Sequence, residues 1–149
     1  MLEKAIEACP AGLWNDDKYQ NRFWHIAYHV LFYTDFYLTE NEEMYCPAPQ
    51  YIPEYQFLGN FPWQSDRKPN IGEPCSKEFL LGYIEHINSI LGIQTEGVAM
   101  SDPSGFDWLP ITKLELQFYN IRHIQHHTAQ LIQMLRIEAG ISIDWVGTG

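Results

Sequence analysis

The sequence predicts an all-α fold, a bundle of four helical segments whose second and third are joined by a long irregular connection rich in proline and aromatic residues. Three observations carry this expectation. Apolar residues recur at three- and four-residue spacing from Phe79 to Leu91, and again through residues 112–139. The run from Phe23 to Leu38 is apolar nearly all round, as befits a helix buried on most sides at the centre of a bundle. Between residues 39 and 74 lie six prolines and no sustained period, so no long helix can form there.

Taken in order, Leu2 to Ala8 reads as a short helix closed by Cys9-Pro10-Ala11-Gly12, because proline cannot continue the hydrogen-bond ladder. Asn15, Asp16 or Asp17 can cap the second helix, expected over residues 18–38. Its β-branched and aromatic content would also suit a strand, but a length near 20 residues without a turn signal favours a helix. The connection that follows carries Tyr45, Tyr51, Tyr55, Phe57, Phe61 and Trp63, so it is no solvated linker. It is expected to form an ordered flap over one end of the bundle. Antiparallel neighbours need only a short link, so a connection this long predicts that the second and third helices run roughly parallel.

Ser76 caps the third helix, over residues 77–91, which Gly92 is expected to end. Asp102-Pro103-Ser104-Gly105 marks a turn. The last helix spans residues 112–139 and stops at Gly140. The tail, residues 141–149, is expected to lie over the bundle through Ile143 and Trp145.

Composition bounds the function. The 149 residues read as one domain, and 46% hydrophobic with 15% aromatic content excludes a disordered chain. A net charge of −10 without any Lys/Arg cluster argues against nucleic acid as a partner and against an anionic membrane surface. No stretch reaches 18 uninterrupted apolar residues and no basic-then-apolar leader opens the sequence, so the expectation is a soluble, cytoplasmic protein. Cys9, Cys46 and Cys75 are odd in number and form no CxxC, which points to free thiols in packing roles.

The chemistry lies in the histidines. His123 and His127 are one helical turn apart, and so are His25 and His29. Residues at i and i+4 fall about 40° apart on a helix, so both imidazoles of a pair can aim at one point. With His123 at the zero of a helical wheel, Leu116, His127 and Leu131 share its arc, while Arg122, Gln125 and Arg136 lie opposite. The pair therefore points into the core, and His126 falls beside the polar arc. Burying two imidazoles without partners costs several kcal/mol, on the order of 2–7 for each polar group, which argues that they hold something. Two facing pairs can build a first-row transition-metal site, with His25 or His29 as third ligand. His86, on a polar helix surface, reads as a bystander. No acid/base partner is evident: Asp35 points away from His29, and Glu115 and Asn120 are neighbours of the pair.

These residues resemble those of the DinB/YfiT-like family of metalloenzymes. Members carry a ligand histidine in an apolar second helix, matched here by His29 in Tyr28-His29-Val30-Leu31, with an acidic residue six positions on, here Asp35. They carry an HxxxH in the last helix followed by a small residue, Gln and Leu, matched by His123 and His127 with Thr128-Ala129-Gln130-Leu131. The resemblance covers nearly the whole chain in element order. It implies an antiparallel-type four-helix bundle binding one divalent transition metal, zinc or nickel before others, through His29, His123 and His127. It also implies a homodimer, and a small-molecule substrate that can include a low-molecular-weight thiol. The chain departs from the family in carrying Thr128-Ala129 where Arg-Gly is common, and in the shortness of its first helix.

Three histidines leave coordination positions open, which separates a catalytic from a structural metal. The expected function is thus a metal-dependent hydrolase or thiol S-transferase with the catalytic acid/base unassigned. The rival reading is a non-enzymatic metal-binding or stress-response module. His25, one turn from His29, is expected at the mouth of the pocket.

Overall fold

The computed structural model describes residues 1–147; Thr148 and Gly149, the end of the expected tail, lie outside the described residues. Those residues form five helices and no strand: α1 (Leu2–Ala8), α2 (Ala11–Trp14), α3 (Phe23–Phe36), α4 (Lys77–Thr95) and α5 (Lys113–Ala139). No helix among them is long and apolar enough to cross a membrane.

α3 is the hub. Phe23, Trp24, Ala27, Tyr28 and Val30 on successive faces are all fully buried, which is why the sequence shows no polar stripe there. α1, α4 and α5 pack against α3, while α4 and α5 do not pack on each other. Side-chain pairings give the directions. Trp14 stands beside Phe23 at 5.7 Å and donates through Nε1 to the Cys75 carbonyl at 2.8 Å, so α3 and α4 begin at the same end. Further along, Tyr28 meets Tyr83, and the Tyr83 hydroxyl donates to Asp35 Oδ2 at 3.1 Å. The two helices therefore run in the same direction, as the long connection predicts. α5 runs the opposite way: Asn120 near its start donates to the Thr34 carbonyl, and Glu138 near its end accepts from the Tyr19 hydroxyl.

Besides α3 ending at Phe36, two residues short of residue 38, three boundaries differ from expectation. The second long helix begins at Phe23 rather than residue 18, because Asn15 does not cap it: its Oδ1 accepts from the Trp24 indole at 2.9 Å, while Asp16 closes a turn on the Lys18 amide. The residues after Pro10 form the one-turn helix α2 instead of a plain stop. α4 passes through Gly92 to Thr95, and the left-handed residue beyond its end is Gly97, at φ 71°. A lone glycine costs a helix only about 1 kcal/mol, too little to stop it. α5 starts and stops where expected, with a Thr112/Glu115 capping box and Gly140 at φ 66°. In the tail, Ile141 and Ile143 pack on the core, but Trp145 is 78% exposed.

The connection between α3 and α4 is an ordered flap. The Tyr28 hydroxyl accepts from the Ile52 amide at 2.7 Å, and the Tyr55 hydroxyl donates to the Glu73 carbonyl. Glu54 adopts φ 72°, and its carboxylate receives Arg67 and the Asn70 amide, which hold that turn. Beyond the end of α3 the buried Lys113 ammonium donates to the carbonyls of Thr39, Glu40 and Ser104. Gly105, at φ 88°, packs so closely on Glu40 that a Cβ would stand 2.2 Å from its carbonyl oxygen. That contact ties the loop before α5 to the start of the flap.

Candidate metal centre

α3 and α5 cross with His29 facing His123 and His127. One ring nitrogen from each of the three lies within 4.8 Å of the others. The ring centroids are 4.9 Å apart for His29–His123, 4.7 Å for His29–His127 and 4.6 Å for His123–His127. Two ligands on a tetrahedral zinc, at about 2.0–2.1 Å each, stand roughly 3.3 Å apart. Modest side-chain rotation would therefore bring all three to one ion.

The hydrogen bonds behind the rings favour that use. His29 Nδ1 lies 2.6 Å from the Gln56 carbonyl, which can only accept, so Nδ1 carries the proton and Nε2 presents its lone pair. The Gln130 amide lies between His126 Nε2, at 3.3 Å, and His127 Nδ1, at 2.7 Å. With its NH2 donating to His126, its oxygen accepts from His127 Nδ1, which frees His127 Nε2. Such outer hydrogen bonds orient imidazole ligands and set their tautomer. His123 Nε2 sits 3.0 Å from His29 Nε2, and its buried Nδ1 has no partner among the described residues. Two ring nitrogens facing at this distance need a shared proton or a shared cation, so the donor set fits a divalent ion.

Burial keeps the three imidazoles neutral. Burial, reinforced by the neighbouring imidazoles, pushes His29 down to about 3 and His123 down to about 4. His127 is lowered by the same desolvation, partly offset by its bond to Gln130. All three are unprotonated at neutral pH, the form that binds metal.

The centre opens into a cavity of about 960 Å³ between α3, the start of α5 and the flap. Its walls are aromatic. Tyr33 lies edge-on to His29 at 4.9 Å and 5.6 Å from His123, and its hydroxyl is pushed up to about 12 by burial, so it stays a donor.

The other candidate residues are used elsewhere. His25, expected at the pocket mouth, is instead buried, with Nε2 on the Tyr55 carbonyl at 2.9 Å and its ring stacked on Trp24. His126 is exposed on the polar side of α5, as the wheel predicts. His86 is outside the cluster. Asp35 accepts from Tyr45 and Tyr83 in the core, and burial raises its pKa. Glu115 is consumed by the α5 cap, and Asn120 holds Thr34. Cys9 and Cys75 are buried free thiols pushed up to about 12 and about 11, so neither is a thiolate; Cys46 is exposed.

Sequence reasoning missed Gln56, Gln130 and Tyr33 as companions of the triad. Gln130 had a signal, since it stands three residues after His127 on the same helical face. Tyr33 stands four after His29 in the same way. The Gln56 carbonyl had none, because it belongs to an irregular loop. Comparison with protein-family models, with curated proteins and with solved structures gives no match.

Proposed function

We propose that the chain is a metal-dependent enzyme of the DinB-like kind, a four-helix bundle with α1 as a short fourth helix, acting on a small molecule by hydrolysis or thiol S-transfer. One observation carries this reading: three inward-facing histidine nitrogens stand at the wall of a large aromatic cavity, two of them held in the metal-binding tautomer by Gln56 and Gln130. Zinc or nickel suits the imidazole donors, and such an ion supplies Lewis acidity and lowers the pKa of a thiol or water that it binds. The chain's own residues would do the rest. Phe32, Phe36 and the flap exclude water from the substrate, and Tyr33 offers a neutral hydroxyl as proton donor. The buried Cys9 and Cys75 cannot serve as nucleophiles at neutral pH, and the resemblance gives the thiol of an S-transfer to a cosubstrate.

A second reading follows from the carboxylates. Asp35 and Glu115 are both engaged away from the triad, so no carboxylate base stands beside it among the described residues. A non-enzymatic metal-binding or stress-response module fits that fact. The deciding experiment is metal analysis of the purified protein, followed by turnover assays across electrophile and low-molecular-weight thiol panels. Stoichiometric zinc or nickel with metal-dependent turnover supports the enzyme. Metal that only stabilises the fold supports the module, and no metal at all refutes both.

A further inference from the structure

The cavity beside the triad has an unusual charge pattern. Five tyrosines line it, with Trp63 and Trp108, yet among the described residues no Lys or Arg does, and the one formally charged wall residue among them, besides the titratable histidines, is Glu42. The nearby cations are committed elsewhere. Arg67 pairs with Glu54 and lies over the Phe61 ring, Lys113 is spent on three carbonyls, and Arg122 stacks on Tyr119 from the exposed side of α5.

A continuous aromatic wall leads from the histidines to the carboxylate. Tyr33 stands 5.6 Å from His123, Tyr37 lies 5.5 Å from Tyr33, and Trp108 lies 6.2 Å from Tyr37. The Trp108 indole then donates to Glu42 Oε2 at 3.1 Å. The far end of the wall is held by the fold: the Glu42 amide donates to the Gly105 carbonyl, which fixes the carboxylate's residue against the loop carrying Trp108. Aromatic faces attract cations through their quadrupole, tryptophan and tyrosine most strongly, and a carboxylate adds to that attraction. At the Glu42 end of the wall an anion would meet the opposite, repulsion from the ring faces and from the carboxylate.

We propose that this cavity takes a small organic cation, an alkylammonium or quaternary ammonium. Its charged head lies between Tyr37 and Trp108 facing Glu42, and its uncharged end is directed at the three histidines. This places the positive group at the end of the cavity away from the triad, where a divalent ion would repel it. The proposal rests on the reading of the cavity as a ligand site, and it can be tested apart from the metal.

The probes are choline, its neutral isostere 3,3-dimethylbutan-1-ol and 3,3-dimethylbutanoate, which share a branched head that is charged in choline alone; the third carries a negative charge at its other end. Binding to the chelated full chain is followed by tryptophan fluorescence and NMR titration, with metal content measured separately on unchelated samples. Choline is expected to bind about tenfold more tightly than the alcohol, with the carboxylate weakest. Glu42→Gln and Trp108→Leu should each remove most of that preference, and Glu3→Gln should leave it intact. Equal affinity for the three probes, binding by none, or a preference that Glu42→Gln leaves untouched would overturn the proposal. A chain that binds no metal yet prefers choline refutes the metal reading alone, and the converse refutes this one alone.

Discussion

Two pairs of histidines share one spacing and meet different fates. His123 and His127 both turn to the cavity, whereas His25 and His29 divide, the first into packing and the second into the triad. The flap makes the division. Two consecutive carbonyls of its backbone, Tyr55 and Gln56, reach one histidine each, yet they take different nitrogens. Tyr55 engages Nε2 of His25, so this outer nitrogen carries the proton and offers no lone pair. Gln56 engages Nδ1 of His29 and leaves Nε2 free. Whether a histidine on an apolar helix packs or coordinates is thus decided by which nitrogen its neighbour claims, and i,i+4 spacing is silent on that.

The comparison breaks most visibly if histidines of the triad are removed. His29→Ala and His123→Ala should each lose stoichiometric metal, with affinity falling more than about 100-fold, beyond the 10- to 100-fold typical of outer-shell changes. His25→Ala should keep one metal per chain by elemental analysis. Loss of metal in His25→Ala with retention in His29→Ala would move the site by one turn of α3.

Acid sharpens the same contrast. The pKa values of His29 and His123 fall from about 6.5 in the unfolded chain to about 3 and about 4 in the fold. Between those limits the unfolded state binds more protons, so stability drops as the pH falls below about 6.5 and levels off only near the folded values. Each group contributes about 1.4 kcal/mol per pH unit within its window. Urea titrations of the metal-free protein should show this slope between pH 6 and 4. It should weaken in His29→Ala, and these two groups add no slope above pH 7.

Next in size is the bond that frees His127. Gln130→Ala removes the acceptor at Nδ1, and metal affinity should fall about 10- to 100-fold with the fold intact. Competition with a chelating dye measures it. An unchanged affinity would mean that the tautomer of His127 is held by something else.

How much of this was legible follows from the range of the interactions. α1 and α5 stand in the sequence almost to the residue, because capping boxes, prolines and left-handed glycines act locally. The inward face of His123 and His127 follows from the wheel, since α5 has one apolar side. α3 has none to read, so the choice between His25 and His29 was open until the resemblance named His29. The start of α3 was misplaced because Asn15 serves Trp24, nine residues on, instead of the helix. The flap's carbonyls and the meeting of Glu42 with Trp108 join segments 66 residues apart in irregular chain, where no period exists to be read.

The smallest effect belongs to His126. It lies beside His127 in sequence, edge-on to that ring with centroids 4.9 Å apart, and its one side-chain hydrogen bond among the described residues goes to the Gln130 amide. Its ring is exposed, and its bond to Gln130 is long at 3.3 Å. Water can replace it, so its loss is worth about 0.5 kcal/mol, the low end for a hydrogen bond exchanged with solvent. His126→Ala should therefore bind one metal with affinity within about threefold of the parent. The double variant with Gln130→Ala should be within about threefold of Gln130→Ala alone, because the hydrogen-bonded route from His126 to the triad is then gone and only an exposed ring contact remains. If His126→Ala instead lost metal as His127→Ala does, the ligand set would lie on the other face of α5, and the wheel that placed it would be wrong.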